Sequence, residues 1–260
     1  MTTLDRFRLD GKIALVSGGA GIVGQPIVRA LAEAGATVLC ASRNGEKCQE
    51  VAARLVEEGY RAEGLSCDFA NESALRALRD HILERYGRLD VLFNNAVARA
   101  GGDLRHATAE EWEQSMKLNS TGLFLCCQIL SEPMQAQRSG SIINVSSIYG
   151  VVGPTFSIYE GTPLTNPVNY AFSKGGMVNL TRYLASYLAP YNVRVNCLAP
   201  GGFESEGQGD VFRANYARRA PLGRMATAED IQGPAVFLAS DASRYITGAN
   251  IPVDGGWTAI

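Results

Sequence analysis

Residues 12–24 read KIALVSGGAGIVG, and this stretch decides the fold. Lys12–Ser17 is a short aliphatic run, the length of a strand covered on both faces. Glycines follow at Gly18, Gly19, Gly21 and Gly24, and Ile22–Ala34 then places Ile27, Val28 and Leu31 at helical spacing. Pro26 falls in the first helical turn, where its missing amide proton costs little, and Gly35 ends the helix. A glycine turn that joins a strand to a helix lets the backbone take positive φ and come close to a pyrophosphate, whose charge suits the helix N-terminus. In this strand–turn–helix context the stretch predicts a dinucleotide site.

Working outward, the same alternation repeats. Thr37–Ala41, Ala62–Ser66, Leu89–Phe93, Ser141–Val145, Val193–Leu198 and Ile251–Val253 read as further strands, about seven in all with the first. Helices are expected through Glu58, from an Asn71 cap to about Tyr86, from a Thr108/Glu111 capping box toward Ala136, over Val168–Leu188, and from a Thr227/Asp230 capping box to Ala239. Apolar strands separated by helices predict an α/β protein with a doubly wound parallel sheet, helices on both faces, and one domain over residues 1–260. Two stretches, Val151–Asn169 and Gly201–Ala220, lack a period and follow strands at their carboxyl ends. Such loops are expected to shape a substrate pocket.

Composition narrows the class. The chain is 46% hydrophobic and 19% charged, with a net charge of −2 and the two signs interspersed. No basic field invites nucleic acid, and no apolar run is long enough for a bilayer. Neither partner is expected, and a cytoplasmic location follows from the absence of a signal-peptide core in the first residues. The six cysteines, Cys40, Cys48, Cys67, Cys126, Cys127 and Cys197, form no C-x-x-C pair; Cys40, Cys67 and Cys197, in or at the ends of apolar runs, read as small buried hydrophobes, and a structural role is expected rather than a redox or metal one. The two histidines, His81 and His106, read as surface residues, and no metal site is expected.

Chemistry is suggested by Tyr170 and Lys174, four apart on a helix and so on one face. A phenol beside a fixed cation can give and take a proton. The end of the second strand speaks to the cofactor. Eighteen residues past Gly24 stands Ser42, followed by Arg43, where an acid would favour the ribose 2′-hydroxyl of NAD. A missing acid beside a cation favours a 2′-phosphate, hence NADP(H), with NAD(H) as the second option.

With these residues in view, the chain resembles the short-chain dehydrogenase/reductase family over nearly its whole length. The resemblance rests on Ser17–Gly24, Asp68, Asn94-Asn95-Ala96, Asn119, Ser147, Tyr170-Ala-Phe-Ser-Lys174, Pro200-Gly201, Thr247-Gly248 and Asp254-Gly255-Gly256. It implies a Rossmann-like fold and interconversion of a secondary alcohol and a ketone by hydride transfer. It implies a catalytic set of Asn119, Ser147, Tyr170 and Lys174. The cofactor would meet Gly18, Gly21, Ile22, Val23, Gly24, Ser42, Arg43, Asp68, Phe69, Asn95, Ala96, Pro200 and Gly201, besides Tyr170 and Lys174. Substrate would meet Ser147, Tyr159 and Tyr170. The Asp-Gly-Gly tail implies a homotetramer, or a homodimer.

Three departures from the family pattern stand out. Ile22 replaces a turn glycine, and the spacing Gly18, Gly21, Gly24 is similar to the branch that modifies nucleotide sugars. Val97 replaces the glycine usual after Asn-Asn-Ala. Ser147 and Tyr170 are twenty-three apart, longer than is usual, with the excess in Val151–Asn169. That segment is rich in hydroxyl, amide and carboxylate groups, which suits a sugar, a polyol or a sugar acid. The alternatives are a nucleotide-sugar epimerase or dehydratase with retained cofactor, and a non-catalytic NADP-binding sensor.

Overall fold

The computed structural model describes residues 2–99 and 101–260. Among them run the strands β1 Ile13–Ser17, β2 Thr37–Ser42, β3 Arg61–Ser66, β4 Val91–Asn94, β5 Gly140–Val145, β6 Val193–Pro200 and β7 Asn250–Val253. All pair in parallel, in the order β3-β2-β1-β4-β5-β6-β7. Succession runs outward from β1 to β3, then crosses back to β4 and continues the other way. The crevice at this reversal, beyond the carboxyl ends of β1 and β4, is where such sheets bind ligands.

The helices are α1 Gly24–Glu33, α2 Gly45–Glu57, α3 Glu72–Tyr86, α4 Ala109–Met116, α5 Leu123–Gln137, α6 Val168–Leu188, α7 Gly209–Arg219 and α8 Ala228–Ala239. Strand alternation decides which layer each serves. In β1, Ala14 and Val16 pack with Ile27, Leu31, Leu55 and Ile231 from α1, α2 and α8. Ile13 and Leu15 pack on the other face with Leu75, Ile82 and Ile129 from α3 and α5. Each fully buried aliphatic side chain contributes about 1.5–3 kcal/mol, so both layers hold the sheet. The expected caps form: Asn71 Oδ1 accepts from the Ala74 amide at 3.0 Å, and Thr108/Glu111 and Thr227/Asp230 make reciprocal capping boxes.

Two expectations change. The helix from Thr108 is interrupted by a π-helical turn at Lys117–Gly122, which separates α4 from α5. Half of Gly201–Ala220 is not irregular but helical, as α7. Only Phe212 and Tyr216 are buried in α7, so its apolar period is too sparse to read. Val151–Asn169 holds a 3-10 turn at Phe156–Tyr159, and its last two residues begin α6. The two segments pack on each other in a satellite cluster of Tyr149, Ile158, Phe212, Tyr216 and Trp257, apart from the sheet layers.

Candidate active site

The glycine turn is locked to the end of β4. Ser17 Oγ donates to the Phe93 carbonyl at 3.1 Å and accepts from the Asn95 and Ala96 amides at 2.9 and 3.1 Å. Asn95 Nδ2 donates back to the carbonyls of Ser17 and Gly18. Gly18 has φ +63°, and a Cβ there would lie 3.0 Å from Ala96 Cα. A Cβ on Gly24 would land on the Gly18 carbonyl oxygen. No side chain caps α1, whose N-cap is Val23. Of its first-turn amides, Gln25 donates to the Gly21 carbonyl at 2.9 Å and Pro26 has no N–H, so an anion would meet the positive end of the helix and the close backbone of the turn, and the turn fits a pyrophosphate.

This turn opens on a cavity of about 790 Å³. Gly18, Gly21, Ile22, Val23, Ser42, Asn95, Ala96, Ser147, Tyr159, Tyr170, Lys174, Pro200 and Gly201 all line it. Five expected residues lie elsewhere. Gly24 supports the turn from behind. Arg43 is exposed, and its carbonyl accepts from Ser66 Oγ. Asp68 Oδ1 accepts from the Ala70 amide at the end of β3. Phe69 and Asn119 line a second, smaller cavity that also reaches Lys174.

Tyr170 and Lys174 project from α6 over the end of β5. Lys174 Nζ is buried, donates to the Val145 carbonyl at 2.6 Å and lies 5.6 Å from the Tyr170 ring centroid. Burial pushes the Tyr170 phenol up, but the Lys174 and Arg99 charges and hydrogen bonding with Ser147 and Arg99 outweigh it, so its pKa lies below the ordinary value. Burial holds the Lys174 ammonium low, against the pull of Tyr170. Ser147 and its neighbour divide their work. Ser146 Oγ donates to the Lys174 carbonyl at 3.1 Å and so fixes α6, while Ser147 faces the phenol and accepts from the Tyr149 amide.

The Asn119 side chain, in the π-helical turn, donates to the Ala98 carbonyl and Ser115 Oγ and accepts from the Ala98 amide, all at 2.8–3.0 Å. It thereby clamps the chain just past Asn95-Ala96. Immediately beyond that clamp stands Arg99, which the sequence reading missed. Its Cζ sits 5.2 Å from the Tyr170 ring centroid. Lys47 was missed as well; it lines the cavity beside Ser42. Asn166, one of the polar groups of the 151–169 loop, is buried in the wall; its Nδ2 reaches Tyr159 Oη at 3.4 Å while Oδ1 has no partner. For Arg99 and Lys47 the available signals were a basic residue just past β4 and another at the start of α2. Among the described residues, no group of three or more His, Cys, Asp or Glu side chains is placed to hold a metal ion.

A doubly wound sheet, a glycine turn at its switch point and a Tyr–Lys pair facing the same cavity define a nucleotide-dependent oxidoreductase of alcohols and carbonyls. The chain belongs to the short-chain dehydrogenase/reductase family. A family model described as enoyl-(acyl carrier protein) reductase matches residues 18–258. The chain is 36% identical over 253 residues to a cis-4-hydroxycyclohexanecarboxylate dehydrogenase of Sinomonas cyclohexanicum, covering 96% of this chain and 97% of the relative. It is 33% identical over 253 residues to the 3-oxoacyl-[acyl-carrier-protein] reductase of Aquifex aeolicus, covering 96% and 98%. Among solved structures it is similar to a gluconate 5-dehydrogenase from Burkholderia cenocepacia in complex with NADP and tartrate, with a TM-score of 0.89, 34% identity and 100% of each chain covered.

Proposed function

We propose that the protein interconverts a secondary alcohol and a ketone on a sugar, polyol or sugar acid, using NADP(H) in preference to NAD(H). The observation that carries this reading is that Ser147, Tyr170 and Lys174 line the same cavity as Gly18, Gly21 and Val23. The nicotinamide group, when bound, supplies or accepts the hydride. In oxidation Tyr170, as phenolate, takes the proton of the substrate hydroxyl; in reduction its phenol returns it. Ser147 Oγ donates to the substrate oxygen and stabilises charge developing there. Lys174 keeps the phenolate accessible near neutral pH. Asn119 holds the Ala98 backbone that borders the site. Ser42 and Lys47 are proposed to receive the 2′-phosphate, with Arg43 next to them. Gly18, Gly21, Ile22 and Val23 would receive the pyrophosphate, and Asp68 and Phe69 would flank the adenosine.

The segments 151–169 and 201–220 are proposed as the substrate loops of one domain spanning 1–260. A buried amide without a partner costs about 1–3 kcal/mol. A substrate hydroxyl donating to Asn166 Oδ1 would relieve that cost, which favours a polyhydroxylated ligand. We also place the protein in a homotetramer or homodimer, because Phe124, Tyr183 and Tyr187 stand exposed on α5 and α6. No helix among the described residues is long and apolar enough to cross a membrane. All six cysteines are free, which suits a reducing compartment such as the cytoplasm.

The test is a panel of sugars, polyols, sugar acids and a 3-oxoacyl thioester, run with NADPH, NADH and their oxidised forms. Net turnover of a secondary alcohol or its ketone is expected. Tyr170→Phe should lower kcat by at least roughly 10²-fold while cofactor binding, read by fluorescence titration, persists. A near-normal kcat in that variant would remove Tyr170 from the mechanism.

A further inference from the structure

We propose that Arg99 is the substrate-carboxylate site of this enzyme, so that its alcohol/ketone substrate is a hydroxy acid or the matching keto acid rather than a neutral polyol. The inference rests on the preceding reading of Tyr170 as the group that meets the reacting oxygen, and it narrows the substrate class.

The position of Arg99 is built. On one side, both backbone polar groups of Ala98 are held by the Asn119 amide. On the other, the Gly102 carbonyl accepts from the Val168 amide at 3.2 Å, at the start of the helix that carries Tyr170. The guanidinium between these anchors lies against the Tyr170 ring and lines the cavity. Arg29, Arg76, Arg79, Arg88 and Arg224 each pair with a carboxylate of the chain. Arg99 forms no such pair among the described residues, and its side chain is exposed.

Charge around the cavity agrees. Its charged lining residues are Lys47, Arg99, Lys174 and Glu206. Lys174 is turned onto Tyr170 and the Val145 carbonyl, and Lys47 stands by Ser42 at the glycine-turn end. Glu206, the acid among the four, belongs to the segment between β6 and α7. This leaves Arg99 as the cation next to the phenol, with one edge turned to the Tyr170 hydroxyl and the rest of its fork, exposed, available to a ligand. A guanidinium offers a planar fork that matches a carboxylate bidentately. A neutral polyol would leave that fork without a matching anion. Asn166, with its unpartnered acceptor, could take one hydroxyl of the same ligand.

The test uses the full chain with NADP⁺ and substrates matched except in charge, an aldonate against the corresponding alditol and aldonamide. Arg99→Gln should lower the acid-to-neutral ratio of kcat/KM by roughly 10²-fold, chiefly through the KM of the acid. Arg99→Lys should restore part of it. In parallel, malonate, which cannot be oxidised here, is titrated against the cofactor-loaded protein, and its affinity should fall by a similar factor in Arg99→Gln. A ratio that does not move would overturn the proposal. So would acid and neutral substrates losing rate together while the low-pH limb shifts, since Arg99 would then act only through Tyr170. Unchanged malonate affinity, or a wild-type preference for neutral polyols or acyl thioesters over every acid, would count equally against it. Should the wild type turn over no member of the panel, the oxidoreductase reading of this cavity fails, and malonate binding still decides Arg99.

Discussion

Replacing Lys174 by Met removes one charge from a buried site while keeping the length of the side chain. Its Nζ lies 5.6 Å from the centre of the Tyr170 ring. Taking that separation and an effective dielectric of about 20, the attraction between an ammonium and a phenolate is about 3 kcal/mol, or roughly 10² in the ratio of phenolate to phenol. The sign follows from Tyr170 lying below its ordinary pKa because neighbouring charges and hydrogen bonds overcome burial. Without Lys174 the largest of those opposing influences goes, and the phenol titrates at higher pH. Alcohol oxidation needs the phenolate, so it is lost as pH falls through that pKa. The assay is kcat/KM for oxidation with saturating cofactor, from about pH 6 to 11. Lys174→Met should be slower by roughly 10² near neutrality, with its low-pH limb displaced to the alkaline side and the gap narrowing at high pH. The same change leaves the Val145 carbonyl without its donor, a cost of about 1–3 kcal/mol, offset by no longer burying a charge, so the folded protein should survive for assay. A pH-independent loss would show that Lys174 works through cofactor binding alone, and a wild-type rate at neutral pH would refute the electrostatic reasoning altogether.

Other outcomes follow from the cofactor end. Lys47→Ala should weaken NADPH at least tenfold more than NADH, and Arg43→Ala less so, because of these two Lys47 alone lines the cavity; equal losses for both coenzymes would end the 2′-phosphate assignment. Gly24→Ala drives a methyl onto the backbone carbonyl of Gly18, so about 1–3 kcal/mol of overpacking is expected, seen as a lower Tm together with weaker NADPH binding by fluorescence titration. Unchanged values would mean that the turn relaxes freely.

Most of the sheet was legible because its strands are short aliphatic runs and its helices carry caps. Ala14 and Val16 against Ile13 and Leu15 needed only the two-residue period of a strand covered on both faces. The Tyr170–Lys174 pair was legible because a helix brings residues four apart together. Arg99 was not, since its place is set by hydrogen bonds between Ala98 and Asn119, twenty-one residues apart, and no local pattern encodes such a clamp. Helix α7 was missed for a related reason. Phe212 and Tyr216 bury themselves against distant aromatic rings, with Tyr159 5.5 Å from Phe212 and Trp257 4.5 Å from Tyr216 between centroids. The segment around them is otherwise polar and charged, so tertiary packing rather than periodicity makes the helix. Arg43 and Lys47 show the same limit at the start of α2, where the strand end marks the region but not which cation enters it.

The placement of these misses has a physical meaning. Two polar groups of the proposed proton site hang from the main sheet, with Lys174 tied to Val145 at the end of β5 and Ser146 tied to the backbone of α6. Moving them would disturb both buried layers. Tyr159 and Phe212 belong to the satellite cluster, which also includes the Tyr170 ring and where Asn215 of α7 donates to the carbonyls of Ile158 and Glu160 in the other segment. Residues of that cluster away from Tyr170 can change without touching the strands, and added length in a loop already formed costs little closure entropy. Sequence identity of about a third with relatives bearing different substrate names is what such an arrangement permits. On the proposed function, Lys174 is held at the sheet end while the small core beside it, which packs on Tyr170, is where substrate choice would be made.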